Sequence, residues 1–422
     1  MLLKNGNALI FSRNGFVPQD IRIEGAKITA MADTLAPLPG EEVVDASDCH
    51  ITPGLIDAHS HICISEEGGG SEGDDCCDYS GTSTPELEVL DGLYPFDRAV
   101  KDCVRAGVTS CCVCPGSDGV VGGVASTIRL TGCVPDEMIV RRMTAMKCSV
   151  GENPKKANYS FCSRMGVAYQ LRKSFDDALE YKYCKEEATK AGTHFHKDRG
   201  MEHMLLVLNK EMPVHMHAHR SDDICTAIRL AQEFDFDLVI IHGTDAIPIV
   251  DHLAKFDYPV IVGPSFSSRS KPETLGKTFA TAGVLSRAGV KVCICSDHDV
   301  TPMYFLTTYV GLAVRYGMDG LEALKAVTVN PAQVLGIQDR KGELKVGLAL
   351  RRPLLGMMGA DDALYPLCEA YAIPVFLIIP LLILPRIWGV DGVWLSLPTA
   401  ELLAVGSSIY YFKTKKGVYH YG

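Results

Sequence analysis

The chain carries no excess of positive charge: 41 Lys and Arg stand against 51 Asp and Glu, a formal net charge of −10. That balance argues against a nucleic-acid surface. No run of like charges forms a basic arm or an acidic tail. The N-terminus, Met1-Leu2-Leu3-Lys4-Asn5-Gly6, lacks the apolar core of a secretion signal. A disulfide framework is not expected either, although 16 cysteines are present. Many fall in strand-like runs such as Thr109-Ser110-Cys111-Cys112-Val113-Cys114, where adjacent side chains point to opposite faces and cannot pair regularly. These features favour a reducing compartment, the cytoplasm. Cys111 and Cys114 have a C-x-x-C spacing that suits redox or zinc chemistry, but buried strand residues are the simpler reading.

With 422 residues, 47% of them hydrophobic, the chain can form a large barrel and a small accessory module. Residues 1–50 read as short strands. Asp20-Ile21-Arg22-Ile23-Glu24 alternates with period two, and Gly25-Ala26-Lys27 turns into Ile28-Thr29-Ala30-Met31. From residue 51, apolar runs begin at Leu55, Thr109, Met143, Pro213, Leu238, Pro259 and Val292, and helical segments lie between many of them. The spacing predicts helices over 95–106, 168–190, 221–234 and 321–327. Continuous apolar runs flanked by helices indicate parallel strands buried on both faces. The expectation is an α/β fold, a (β/α)8 TIM-like barrel over 51–347. Only seven runs are found, so an eighth strand is expected within 153–210, which otherwise reads as helix and loop.

Chemistry concentrates at the ends of these runs. Pro53-Gly54-Leu55-Ile56-Asp57-Ala58-His59-Ser60-His61 ends a strand with two imidazoles at i and i+2, which can reach one metal ion at about 2.0–2.1 Å if it is zinc. His217 stands in Pro213-Val214-His215-Met216-His217-Ala218-His219-Arg220, and His242 ends Leu238-Val239-Ile240-Ile241; both are candidate ligands. His215 and His219 share the face of His217, so either can orient a ligand or touch substrate. Asp297, in Val292-Cys293-Ile294-Cys295-Ser296-Asp297-His298, is the natural general base: it takes a proton from an ion-activated water and passes it to a leaving nitrogen. Asp297 is also counted among the metal ligands, and His242 or His219 is placed to steady the oxyanion. Glu152 is a further candidate ligand, bridging two ions, and Lys147 serves if carbamylated. Arg220, Arg269 and Lys271 suit a substrate carboxylate, but each reads better as a surface charge. Loops 62–84, 115–117 and 265–271 are the expected sources of specificity.

These stretches resemble the amidohydrolase superfamily. Met146-Lys147-Cys148-Ser149-Val150-Gly151-Glu152-Asn153-Pro154, His217-Ala218-His219-Arg220-Ser221, Val262-Gly263-Pro264-Ser265 and Val329-Asn330-Pro331-Ala332 resemble its imidazolonepropionase-like branch more closely, over residues 1 to about 347. The resemblance implies a barrel with a small β-sandwich, one or two divalent metals (usually zinc), and hydrolysis of amide, cyclic-amide or amidine-type C–N bonds in a small molecule. It does not fix the substrate. A catalytically inactive metal-binding barrel is the competing reading; Asp297 discriminates, because a binding module needs no base at a strand end.

The resemblance stops near Gly347. The sandwich begun by residues 1–50 is therefore expected to be incomplete, with an exposed strand edge. Two hydrophobic stretches follow, about 370–385 and 392–411, and Lys413, Lys415 and Lys416 flank the second. Residues 348–422 are expected to form a hydrophobic helical tail. It resembles the last two membrane helices of a multidrug and toxic-compound extrusion transporter, which suggests a fusion. Poor solubility, membrane association through the tail and a homo-oligomer are the associated expectations; two helices cannot by themselves make a transporter.

Overall fold

A computed structural model describes residues 1–155 and 163–348. The expectations for the tail fall outside the described residues, apart from Leu348. Among the described residues no helix is long and apolar enough to cross a membrane.

Residues 1–51 form a five-stranded sheet of β1 (Leu2–Ile10), β2 (Gly15–Glu24), β3 (Lys27–Ala32), β4 (Val43–Asp45) and β5 (His50–Ile51). The order is β3-β2-β1-β4, with β5 also on β1. Period-two alternation holds at Ile21 and Ile23, buried beside Leu3, Ala8, Ile28 and Leu344, and at Glu24, which faces solvent; it fails at Asp20, buried where it accepts from Asn5 N and Leu35 N. The edge expected to be bare is partly covered at β3. Ile28 donates its N–H to Leu348 O (3.1 Å) and accepts from Gly347 N (2.9 Å).

The main sheet has eight strands: β6 (Leu55–Ser60), β7 (Val108–Val113), β8 (Val121–Arg129), β9 (Ile139–Ser149), β10 (Val214–Ala218), β11 (Leu238–His242), β12 (Val260–Val262) and β13 (Val292–Ile294), in that order. They form a nearly closed barrel. The missing strand is β8, not a segment of 153–210, and it runs antiparallel to both neighbours. The (β/α)8 expectation is corrected accordingly. The link 114–120 is too short for a helical crossover, which needs a dozen or more residues, so β8 must return antiparallel. Gly122 and Gly123 made it read as loop. The stretch after 163 instead holds helices Arg164–Ala191 and Arg199–Leu208. Other helices fall at Arg98–Arg105, Ser221–Phe234 and Gly320–Lys325. Asp97 caps the first by accepting from Ala99 N, and Asp319 caps the last by accepting from Leu321 N and Glu322 N.

Strand alternation separates two environments. Cys111, Met146, Met216, Ile240 and Ile294 join the large cluster that packs against the helices. Cys112, Cys114 and Ala145 form one smaller cluster, and Ala58, Ile241, Ile261 and Cys293 form another. The seam between β13 and β6 is closed without a regular ladder. At one end Ile56 N and Ile294 N donate to Val327 O and Ala326 O. At the other, Asp297 N donates to His59 O (3.3 Å), and the buried Asp57 carboxylate accepts from Ser296 N (2.9 Å) and Ser296 Oγ (2.6 Å).

Phe175, fully buried on helix Arg164–Ala191, stacks on Phe234 (4.9 Å) and Phe236 (5.0 Å). Phe175→Ala is expected to lower stability by about 3–5 kcal/mol, read as a fall in the denaturant midpoint; a change below ~1 kcal/mol would contradict this packing.

Candidate metal centre

The end of β6 departs from a regular strand: its pairing with β7 shifts register between Asp57 and Ser60. There Asp57 accepts from His59 N (3.1 Å). Burial pushes the Asp57 carboxyl up to about 6, against the stabilising hydrogen bonds from Ser296 and His59. The clamp sets His59 and His61 against the chain that leaves β13. Their Nε2 atoms lie 3.2 Å and 3.3 Å from Asp297 Oδ1. His61 Nδ1 donates to Cys114 O (2.7 Å) and His242 Nδ1 donates to Gly263 O (2.6 Å). A carbonyl can only accept, so each Nδ1 carries the proton and each Nε2 presents a lone pair.

His242 links two groups of donor atoms, each within 4.8 Å: His59, His242 and Asp297, and His217, His219 and His242. Its ring lies 5.5 Å from His59, 4.6 Å from His217 and 4.3 Å from His219, on which it stacks. His242 and Asp297 have positive φ, 75° and 55°, a strained backbone that turns each side chain out of its strand direction. Burial holds His217, His219 and His242 below the usual imidazole range, His242 at about 3. They are neutral, the form that coordinates a cation. Asp297 is buried with its Oδ1 facing the Nε2 atoms of His59 and His61, so its charge needs a cation or a proton between them.

Both ring nitrogens of His59 and of His217, together with Asp297 Oδ1, are buried without a hydrogen-bond partner. Each such group costs about 1–3 kcal/mol when left unpaired. A set of imidazoles and carboxylates in this condition fits a divalent cation such as zinc.

The structure thus brings His59, His61, His217, His242 and Asp297 together. It places Glu152 elsewhere, with Oε1 3.3 Å from Arg164 Nη2. The carboxylate facing the imidazoles is Glu273, whose Oε1 is 3.6 Å from His217 Nε2 and 3.7 Å from His219 Nε2. Sequence reading missed it, since Pro272-Glu273 lies just past the loop assigned to specificity. Lys271 is held by Glu273 (2.6 Å) and Asn153 Oδ1 (2.6 Å), and Asn153 Nδ2 donates to Ser117 Oγ (2.6 Å). This chain of contacts joins the loops after β7, β9 and β12. Arg220 pairs with Asp222, and Arg269 donates to Leu275 O and Lys277 O. Lys147 is fully buried and donates to Pro115 O (3.3 Å). A cavity of about 10 Å³, room for about one water, lies beside His242 and is walled by Thr244, Pro264 and Lys277.

The pattern of the Amidohydrolase family matches residues 50–349. An amidohydrolase from Thermotoga maritima MSB8 has a similar structure: TM-score 0.80, 38% identity, covering 82% of this chain and 91% of that one. Amidohydrolase tasK of Hapsidospora irregularis is 25% identical over 360 residues, 78% of this chain but 37% of its own length. A dihydroorotase of Bacillus pumilus is 46% identical over 71 residues, 17% of this chain and 15% of its own. The chain therefore spans well under half the length of these two curated relatives.

Gly263 has φ +146°, and a Cβ there would stand 2.2 Å from Cys295 O. Neither backbone can yield without moving the acceptor of His242. Gly263→Ala is expected to cost about 2–4 kcal/mol of stability and to reduce bound metal, measured by thermal melting and elemental analysis; a variant that melts and binds metal like the parent would refute this constraint.

Proposed function

The chain belongs to the Amidohydrolase family, and from that premise we propose that residues 51–347 form a metal-dependent hydrolase that cleaves a C–N bond of a small molecule. The motifs around Lys147, His217, Gly263 and Asn330 favour the imidazolonepropionase-like branch. The observation that carries the reading is the convergence of His59, His61, His242 and Asp297, in which both ring nitrogens of His59 and Oδ1 of Asp297 are buried without a hydrogen-bond partner.

His59, His61, His217, His242 and Asp297 would hold the ion, zinc by their chemistry. When bound, it supplies a polarising charge and lowers the pKa of a water to about 7. Asp297, within reach of both early imidazoles, would act as the base, taking up a proton at a carboxylate oxygen and giving it to the leaving nitrogen. His242 cannot serve the oxyanion as well, because its proton is committed to Gly263 O and its Nε2 has none to donate. His219 is the better donor: Thr244 Oγ1, 2.7 Å from its Nδ1, can itself donate and leave the proton on Nε2. Lys147 is close enough to bias His59, His217 and His242 electrostatically, and as a carbamate it would replace a buried cation with an anionic ligand. Glu273 is a better candidate than Glu152 for the carboxylate beside the later histidines.

Asp297→Asn is expected to lower turnover by about 10²–10⁴-fold on a panel of N-acyl, dipeptide and cyclic-amide compounds, with metal still detectable. Unchanged turnover would defeat the mechanism. Chelation should abolish activity, and zinc should restore it. A metal-loaded protein inert on every class would favour the inactive binding barrel. Glu273→Gln should weaken metal retention about 10–100-fold, whereas Glu152→Gln should leave it unchanged; the reverse order, read by competition with a chelating dye, would return the role to Glu152.

A further inference from the structure

A second cluster of ligand atoms lies in the barrel next to the hydrolytic set, with the Cys114 thiol against His59. Cys112 Sγ, Cys114 Sγ and a ring nitrogen of His215 come within 4.8 Å of one another. All three residues have 0% exposure. β7 supplies Cys112 and β10 supplies His215, while Cys114 directly follows β7. Ile56, Ala125, Ala145, Ala332, Leu335 and Ile337 pack around the two cysteines. His215 is paired in register with Lys147 of β9 and Val239 of β11.

Two features separate this cluster from ordinary core packing. Neither ring nitrogen of His215 has an oxygen or nitrogen partner, and a weak contact with the Cys114 thiol is what faces the ring. A core histidine normally satisfies at least one nitrogen with a strong partner, and lacking one costs about 1–3 kcal/mol. The two sulfur atoms are 3.6 Å apart. Thiols in van der Waals contact sit at that distance, but so do two thiolates on one tetrahedral ion: bonds of about 2.3 Å place them about 3.8 Å apart. The sulfur spacing alone does not decide, and the imidazole beside it, without a strong partner, does. Two sulfurs and one nitrogen are a soft donor set, unlike the nitrogen and oxygen set around Asp297, and they select a thiophilic ion.

We propose that Cys112, Cys114 and His215 form a second metal site, for a thiophilic d10 ion such as Zn²⁺. Binding exchanges the two thiol protons for the ion, so the buried charges neutralise one another. Because Cys114 O also holds His61, an ion on the Cys114 sulfur stiffens the loop that orients a hydrolytic imidazole. The site does not depend on the hydrolase reading.

The test uses the full reduced chain, stripped by chelator and titrated with Co²⁺ or Cd²⁺. A thiolate-to-metal charge-transfer band is expected, saturating at about one ion per chain. Cys112→Ser should remove the band and lower the metal content by about one ion. Asp297→Asn should keep the band although it loses turnover, so failure of the hydrolase reading and failure of this one are separable. His215→Gln, a milder change, should weaken Cd²⁺ binding at least ~10-fold, and it decides the matter should Cys112→Ser not fold. The proposal is overturned by a parent chain without the band, by a band that survives Cys112→Ser and so belongs to other cysteines, or by His215→Gln with unaltered affinity.

Discussion

Asp57 is buried completely, and the rest of the centre depends on what its carboxylate holds. It accepts from His59 N on its own strand and from both the N–H and the hydroxyl of Ser296, across 239 positions of chain. The first and last strands of the barrel share no regular ladder, so this side chain supplies much of the cross-seam bonding near the site. It also sets the offset that lets Asp297 meet His59 and His61. A buried carboxylate is costly unless its acceptors are occupied; here three donors occupy them, and its remaining tendency to protonate is the cost of using a charge as a clasp.

Around that clasp the backbone is bent toward chemistry. His242 and Asp297 occupy left-handed conformations that cost on the order of 1–3 kcal/mol each. Gly263 can approach Cys295 so closely only because it has no side chain, and its carbonyl then fixes the tautomer of His242. The result is a set of buried imidazoles facing a buried carboxylate. Stability has been given up in one place to keep donor atoms ready.

How much of this was legible in sequence follows from how local each signal is. Strand-end histidines announce themselves, because an apolar run that stops at an imidazole is visible within a few residues; His59, His61, His217, His242 and Asp297 were found that way and lie together. Glu273 was not legible. It sits on a loop without periodicity, and only the fold carries it to His217. Glu152 had the opposite fault: its position at a strand end was right in pattern, but Arg164, brought by a helix, takes its carboxylate. β8 was hidden by glycines and by the assumption that every strand should be followed by a helix. The clasp at Asp57 was half legible, since the aspartate beside the histidines was noticed but its partner lies on the last strand. The helix over 221–234 was read to the residue, while its neighbour begins at Arg164 rather than 168, where Ser163 caps it.

The span between Asp57 and Ser296 also sets a timetable during synthesis. At roughly 5–20 residues per second, the ribosome needs on the order of 10–50 s to deliver the second half of the clasp after the first. Throughout that interval His59 and His61 are exposed on a nascent chain without their carboxylate. A cell making this protein must keep stray cations and aggregation partners from two unguarded imidazoles until the final strand arrives.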